Sequence, residues 1–203
     1  MPESAEEIHA RVVAAVGEDG RLPMPSMGEW DVFPWEVVDG AIAPKRLARP
    51  APEKPRQGEG GEGCHACAGF SGVIWENERW VVTHPRERGG LPLLLFLQPK
   101  EHLDLTDLDD AMAAEYGRLQ VWLHRIMGNL PNIARVHVDK WGDGAEHLHL
   151  WFIARPAGLG EQVIGSYAVE WYDILPAGPE DVWREDLRTV AAKLANHDGH
   201  ARV

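Results

Sequence analysis

The chain has 203 residues, of which 44% are hydrophobic and nine are tryptophans, so it is long enough to bury a sizeable core. Its 32 acidic and 20 basic residues give a formal charge of −12, which argues against a nucleic-acid partner. The sequence shows no signal peptide and no apolar run of membrane-spanning length, and cysteine occurs only twice. We therefore expect a cytoplasmic protein that binds neither nucleic acid nor a membrane.

The first region, residues 1–60, predicts a short helix followed by irregular sequence. Ser4 and Glu7 form a capping box that starts the helix. Trp30 and Trp35 then lie among prolines in a segment without regular periodicity. Residues 49–63 are rich in proline, glycine and charged residues, which is typical of a linker.

The second region, residues 61–158, predicts strands around one long helix. The helix is expected to begin at Thr106–Asp109 and to end at Gly128–Asn129, with an apolar stripe along one side. Strands are expected at 73–75, 79–84, 93–97, 136–139 and 147–154. This order predicts an α+β fold, in which one helix lies across an antiparallel sheet.

The third region, residues 159–203, predicts a C-terminal extension. The aromatic-rich segment from Gly165 to Ile174 is expected to form a strand. Pro179 and the acids after it indicate the start of a terminal helix. We expect the chain to fray from Asn196 onwards.

The stretch before Arg155 carries the first candidate site residues. In a strand, His147, His149 and Trp151 would share one face because side chains alternate. Imidazoles at alternate strand positions lie about 5–7 Å apart, close enough to serve one site. A half-buried strand whose histidines are only hydrogen-bonded would give the same pattern.

Cys64 and Cys67 form a Cys-x-x-Cys motif, which occurs in zinc half-sites, redox pairs and ordinary cores. Glycines surround the motif and no helical pattern follows it, which favours metal over redox chemistry. His102 and His147 lie at the ends of predicted strands and would complete a tetrahedral site with two sulfur and two nitrogen ligands. The spacing alone does not require this set of four.

Taken together, these motifs resemble the histidine triad superfamily between Cys64 and Pro156. The matching order is Cys-x-x-Cys, a strand hairpin, a strand ending in Pro99-Lys-Glu-His102, a long helix, and a strand reading His-Leu-His-Leu-Trp-Phe. The resemblance implies a histidine triad-like fold and a structural zinc. Members of this family commonly pair as dimers, so it also implies a homodimer. The implied zinc ligands are Cys64, Cys67, His102 and His147.

The same resemblance implies a function. His149 would be the nucleophile of a nucleotidyl hydrolase or nucleotidyltransferase that acts on a phosphoester or phosphoanhydride of a nucleotide. Asp139 lies near the position of a family asparagine that contacts ribose or phosphate, and a tight hairpin would bring His137 to the same face. With Trp141 and Trp151, these residues are the expected contacts of a nucleotide or another small-molecule ligand.

The chain departs from the family pattern at two places. Trp151 replaces the third histidine of the triad, so this side chain cannot shuttle a proton to the leaving group. The loop before the motif carries Asp143 and Glu146 where small residues normally contact phosphate. Each carboxylate would oppose a nearby phosphate by about 1–4 kcal/mol.

Three hypotheses follow from these residues. The first is a divergent enzyme that uses His149. The second is a non-catalytic, zinc-stabilised binding protein, in which Trp141 and Trp151 stack on a ligand ring. The third is a second metal held by His137, Asp139 and His149.

Overall fold

A computed structural model describes residues 2–24, 33–163 and 165–203, and Trp30 lies outside them. The helices are α1 (Ala5–Ala15), α2 (His65–Ala68), α3 (Asp110–Gly128), α4 (Ala168–Ile174) and α5 (Glu180–Ala195). The strands are β1 (Trp35–Val38), β2 (Ala41–Pro44), β3 (Val73–Glu76), β4 (Trp80–Thr83), β5 (Leu93–Pro99), β6 (Ile133–Asp139), β7 (Leu150–Pro156) and β8 (His200–Ala201). Within the described ranges, no helix has both the length and the apolar character that crossing a bilayer requires.

Six of the strands form one antiparallel sheet in the order β6-β7-β5-β4-β3-β8. This arrangement confirms the predicted α+β fold. Strands β1 and β2 form a separate hairpin, which the sequence did not predict. Its turn residues Asp39 and Gly40 both have positive φ, as a tight hairpin turn of this hand requires.

One face of the sheet is covered by α3 and α5. Asp109 caps α3 by accepting a hydrogen bond of 2.7 Å from the Met112 amide, so the helix begins slightly later than predicted. The apolar residues of both helices belong to one core with the sheet. Its fully buried helical members include Leu119, Leu123, Val190 and Leu194. The C-terminal helix is therefore part of the main core.

The other face is covered by α4, and the strand predicted at 165–174 was wrong. Residues 168–174 form a short helix instead, in which Ala168 and Tyr172 are buried four positions apart. The helix packs over Leu94 and Ile153 of the sheet. A buried position every four residues fits a helix and not a strand.

The chain end was also predicted wrongly, because it does not fray at Asn196. Strand β8 pairs with β3, placing Ala201 opposite Trp75. The Trp75 indole donates a hydrogen bond of 2.8 Å to the carbonyl of Asp198. Gly199 has a φ of 70°, and a Cβ there would lie 2.5 Å from the Glu76 carbonyl oxygen. The last residues therefore close this edge of the sheet.

Strand β7 begins at Leu150 and not at His147 as predicted. The burial pattern nevertheless alternates from Leu148 onwards, because Leu148, Leu150 and Phe152 lie in the α3–α5 core. Trp151 packs against the α4 side of the sheet. The two histidines of the motif thus lie in the loop that leads into β7.

Candidate functional site

The structure brings Cys64, Cys67, His102 and His147 together. One ligand atom from each residue lies within 4.8 Å of the others. The Cys64 sulfur is 3.5 Å from Nδ1 of His147, and the Cys67 sulfur is 3.5 Å from Nδ1 of His102. Two thiols and two imidazoles at this spacing form a candidate metal site.

The far nitrogen of each imidazole already has an acceptor, which fixes the side of the ring that can bind a metal. Nε2 of His147 lies 2.9 Å from the Pro99 carbonyl oxygen. Nε2 of His102 lies 3.0 Å from the Glu146 carboxylate. A neutral imidazole that donates from Nε2 carries its lone pair on Nδ1, and both Nδ1 atoms face the sulfurs. The tautomers therefore fit metal binding.

The local electrostatics favour a neutral His147 and a Cys64 thiolate, two states that suit metal binding. Burial lowers the pKa of His147, so its ring stays neutral. Burial raises the pKa of the Cys64 thiol, but hydrogen bonds from Cys67 and His102 outweigh this effect and bring it below its usual value. The hydrogen bond to Glu146 raises the pKa of His102. The buried cysteine is thus the one whose thiolate is favoured.

The segment expected to be a linker forms one wall of the site. Gln57 forms a parallel bridge with Ala145, and its amide donates a hydrogen bond of 2.9 Å to Gly144. Gly58 has a φ of 75°, and a Cβ there would lie 2.9 Å from the Cys64 Cβ. Only glycine fits this close approach without strain. Residues 56–63 therefore fold back over the loop that precedes His147.

Glu146 and Arg56 support the candidate metal site, a role that the sequence analysis did not predict for either residue. The Glu146 carboxylate accepts hydrogen bonds from Arg56 at 3.0 Å and from the Gly60 amide at 2.7 Å, in addition to its contact with His102. Arg56 also binds Asp104 at 2.7 Å. Glu146 is therefore paired within the protein, which reduces the opposition to phosphate that we expected from its charge. A carboxylate directly before a metal-binding histidine is the sequence signal that could have identified it.

His149 is half-buried and lies beside the metal site. Its Nδ1 is 2.8 Å from the carbonyl oxygen of His147. In the part of the chain that the structure describes, its Nε2 forms no hydrogen bond. Donation from Nδ1 leaves a lone pair on Nε2, which is the arrangement of an imidazole ready to act as a nucleophile.

An aromatic cluster surrounds His149. The Trp151 ring lies 6.2 Å from the His149 ring, 4.7 Å from Phe96 and 5.1 Å from Trp141, measured between ring centroids. Trp141 is 36% exposed. The structure thus places Trp151 beside His149, and Trp141 packs on Trp151 at the surface.

The register of β6 and β7 determines where the other two predicted ligand contacts lie. Asp139 is opposite Trp151, and His137 is opposite Ile153. Facing residues of an antiparallel pair project to the same side of the sheet, so both share the Trp151 face. Nε2 of His137 and Nε1 of Trp151 are buried without a partner among the described residues. Among the described residues, His137, Asp139 and His149 do not form a group of possible metal ligands, so the hypothesis of a second metal stays a prediction without support from the geometry.

A cavity of about 250 Å³ opens beside this face. Phe96 and Gln98 line it from the sheet, and His65 lines it from α2. The register pairs Phe96 with Trp151, and Gln98 lies two positions further along β5, on the same side of the sheet. We call this space the sheet-face cavity, and its size suits part of a small organic ligand.

The structure resembles those of histidine triad proteins. A zinc-bound histidine triad family protein from Mycobacterium smegmatis is 20% identical, with 64% of this chain and 90% of that chain covered and a TM-score of 0.44. A histidine triad protein from Bradyrhizobium japonicum is 15% identical, with 60% and 88% covered and a TM-score of 0.49. A uridylyltransferase is 19% identical, with 62% and 43% covered and a TM-score of 0.42.

Neither the protein-family models nor the curated proteins give a match to this sequence. These similar structures are histidine triad proteins, the family that the sequence motifs resemble.

Proposed function

We propose that this chain is a divergent enzyme of the histidine triad type, which hydrolyses or transfers a nucleotidyl group through His149. The observation that carries the proposal is the orientation of the His149 ring, whose Nδ1 donates to the His147 carbonyl at 2.8 Å. In its neutral form, a ring that donates from Nδ1 presents an unprotonated Nε2. This is the state that attack on phosphorus requires.

The reaction would proceed in two displacements at the α-phosphorus of a nucleotide. The Nε2 lone pair forms a bond to phosphorus, and the bond to the leaving-group oxygen breaks with its electron pair on that oxygen. A water molecule or an acceptor hydroxyl then attacks phosphorus, releases the nucleotide from Nε2 and loses its proton to solvent. Trp151 has no basic nitrogen, so the leaving group takes its proton from water. Substrates with a leaving group that is stable as an anion are therefore favoured.

We further propose that Cys64, Cys67, His102 and His147 hold a structural zinc ion. Two sulfurs and two nitrogens in a closed arrangement are the typical donor set of such an ion. Zinc bound here would fix the rings and backbone of the loop that precedes β7. Because the His147 carbonyl orients His149, this loop would position the nucleophile.

A non-catalytic binding protein is the second candidate. The cluster of Trp141, Trp151 and Phe96 beside the sheet-face cavity favours it, since indole and phenyl rings stack well on a nucleobase. Such a protein would bind a nucleotide without turning it over. Removing His149 would then change affinity little.

The deciding experiment compares the wild type with the His149→Ala variant on nucleotides that carry different leaving groups. We expect a covalent nucleotidyl adduct on wild-type protein by mass spectrometry, and a loss of turnover of at least about 10³-fold in the variant. His124→Ala, at an exposed position of α3, is the matched control. Turnover that survives in His149→Ala would exclude the nucleophile, and binding without any turnover would establish the second candidate.

A further inference from the structure

We propose that a cleft between the end of β4 and helix α5 binds a small anion that carries two or more phosphate groups. The cleft has a volume of about 350 Å³, and four of its lining residues are arginines. We call it the arginine cleft and define it by Arg86, Arg88, Arg184, Arg188, Trp183 and His84. It contains neither His149 nor any of the four candidate metal ligands, and it shares His84 and Arg86 with the sheet-face cavity.

The charge of the cleft is opposite to that of the protein. The chain carries a formal charge of −12, yet Glu180 is the one acidic side chain among the described residues that line this space. Four guanidinium groups in one concave surface would repel one another without an anion. A ligand with several negative charges relieves that repulsion, whereas a neutral ligand does not.

The acceptors within the protein satisfy only part of the donors of these arginines. Arg184 binds Glu180 at 2.6 Å. Arg88 donates a hydrogen bond of 2.6 Å to the Gly178 carbonyl and lies 3.7 Å from the Glu180 carboxylate. Arg188 pairs with Glu185 where both side chains are more than half exposed, so this pair contributes little. Arg86 forms no ion pair or hydrogen bond within the ranges that the structure describes. Most of the guanidinium donors therefore stay available to a ligand.

Trp183 holds two of the arginines in place. The guanidinium carbons of Arg88 and Arg184 each lie 5.9 Å from the centroid of its ring. The His84 ring contacts the same indole edge-on at 4.8 Å. Cation–π contacts restrict long side chains, so less entropy is lost when an anion binds. The cleft is thus organised before the ligand arrives.

The chemistry of the donors indicates phosphate. Arginine presents parallel N–H groups that match two oxygens of one phosphate, and four arginines exceed what a single phosphate can accept. A volume near 350 Å³ lies at the small end of ligand pockets, which suits a compact molecule. The strong negative charge of the rest of the chain opposes a long polyanion such as nucleic acid.

The test is a calorimetric titration with inorganic tripolyphosphate at physiological salt. We expect wild-type protein to bind it with a dissociation constant below about 1 mM, and Arg86→Gln and Arg184→Gln to bind at least tenfold more weakly. Arg118→Gln is the matched control, since it removes one positive charge from an exposed position of α3. Orthophosphate in place of tripolyphosphate tests the requirement for several phosphate groups.

Two results would overturn the proposal. One is equal weakening in Arg118→Gln, which would mean that net charge and not the cleft governs binding. The other is binding that is absent in the wild type or unchanged in both cleft variants. His149→Ala should bind tripolyphosphate as the wild type does, so the outcome is independent of the proposed enzymatic activity.

Discussion

Nδ1 of His149 lies 2.8 Å from the carbonyl oxygen of His147, the residue whose own ring faces Cys64 and Cys67. One residue therefore belongs to the candidate metal site through its side chain and orients the candidate nucleophile through its backbone. A change that displaces the His147 backbone moves the acceptor of His149 Nδ1. The His149 ring is then free to rotate, or to carry its proton on Nε2. The candidate metal site and the candidate nucleophile are thus coupled through His147.

The first prediction follows from this coupling. Cys64→Ser should remove the bound metal, because the buried sulfur lies 3.5 Å from His147 Nδ1 and a serine hydroxyl is a poor zinc ligand. We expect one zinc ion per wild-type chain and none in the variant by elemental analysis, together with at least about a tenfold loss of turnover. His65→Ala, an exposed position between the two cysteines, should keep its metal. Equal metal content in all three proteins would contradict the ligand set.

Glu146→Gln tests the residue that holds His102. The carboxylate accepts from His102 Nε2 at 3.0 Å and from Arg56, and a neutral amide weakens both interactions. We expect zinc affinity to fall by about 10–100-fold, measured by competition with a chromophoric chelator. Glu62→Gln, at an exposed position of the same wall, should bind zinc normally. An unchanged affinity in Glu146→Gln would mean that His102 needs no acceptor.

Asp186 gives a prediction for the pH dependence of stability. Burial raises the pKa of this carboxyl from 3.8 to about 6, so the folded state favours its protonated form. The stabilising contribution of the protonated Asp186 carboxyl to the folded state is complete below pH 4, and it is lost as the pH rises through 6. The loss amounts to about 2–3 kcal/mol of the free energy of unfolding.

Asp186→Asn should therefore unfold at a higher denaturant concentration than the wild type at pH 7, and the difference should close towards pH 4. Asp181→Asn, at an exposed position of the same helix, controls for the loss of one charge. If Asp186→Asn gained the same stability at pH 7 and at pH 4, the Asp186 carboxyl would have an ordinary pKa in the folded state.

Gly90 tests the packing of the segment after α4. A Cβ at this position would lie 2.1 Å from the Leu175 Cβ and 2.5 Å from the Leu175 carbonyl oxygen. Gly90→Ala should lower the free energy of unfolding by about 1–3 kcal/mol, since backbone must move. Gly117→Ala lies in α3 with open space around it and should raise stability by about 0.5–1 kcal/mol. Both changes in the free energy of unfolding are measured by denaturant unfolding. Equal changes in Gly90→Ala and Gly117→Ala would contradict the close approach at Gly90.

The parts of the fold that the sequence predicted have strong periodicity or distinctive chemistry. Helix α3 carries an apolar stripe over five turns, and Leu93–Leu97 of β5 is continuously apolar. The cluster of Cys64, Cys67, His102 and His147 could be predicted because Cys-x-x-Cys is a recognisable half-site. Each of these signals lies within one short stretch of sequence.

The parts that the sequence missed depend on contacts between distant residues. Arg56 and Glu146 are 90 positions apart, and neither gives a local signal of the other. Helix α4 contains Val169 and Trp171, which favour strands in isolation, and its packing on the sheet decides its conformation. Strand β8 is two residues long and exists only through its pairing with β3.

The candidate metal site also affects the order in which the chain is expected to fold. Cys64 and Cys67 are neighbours in sequence and can hold an ion in the unfolded chain, but His147 lies 83 positions from Cys64. Bringing His147 to the two cysteines closes a long loop of the chain. This closure becomes favourable only once β5 and β7 have paired. Four ligand bonds would then have to break before these strands separate. A bound ion is thus expected to slow unfolding, giving the protein a kinetic stability that its metal-free form lacks.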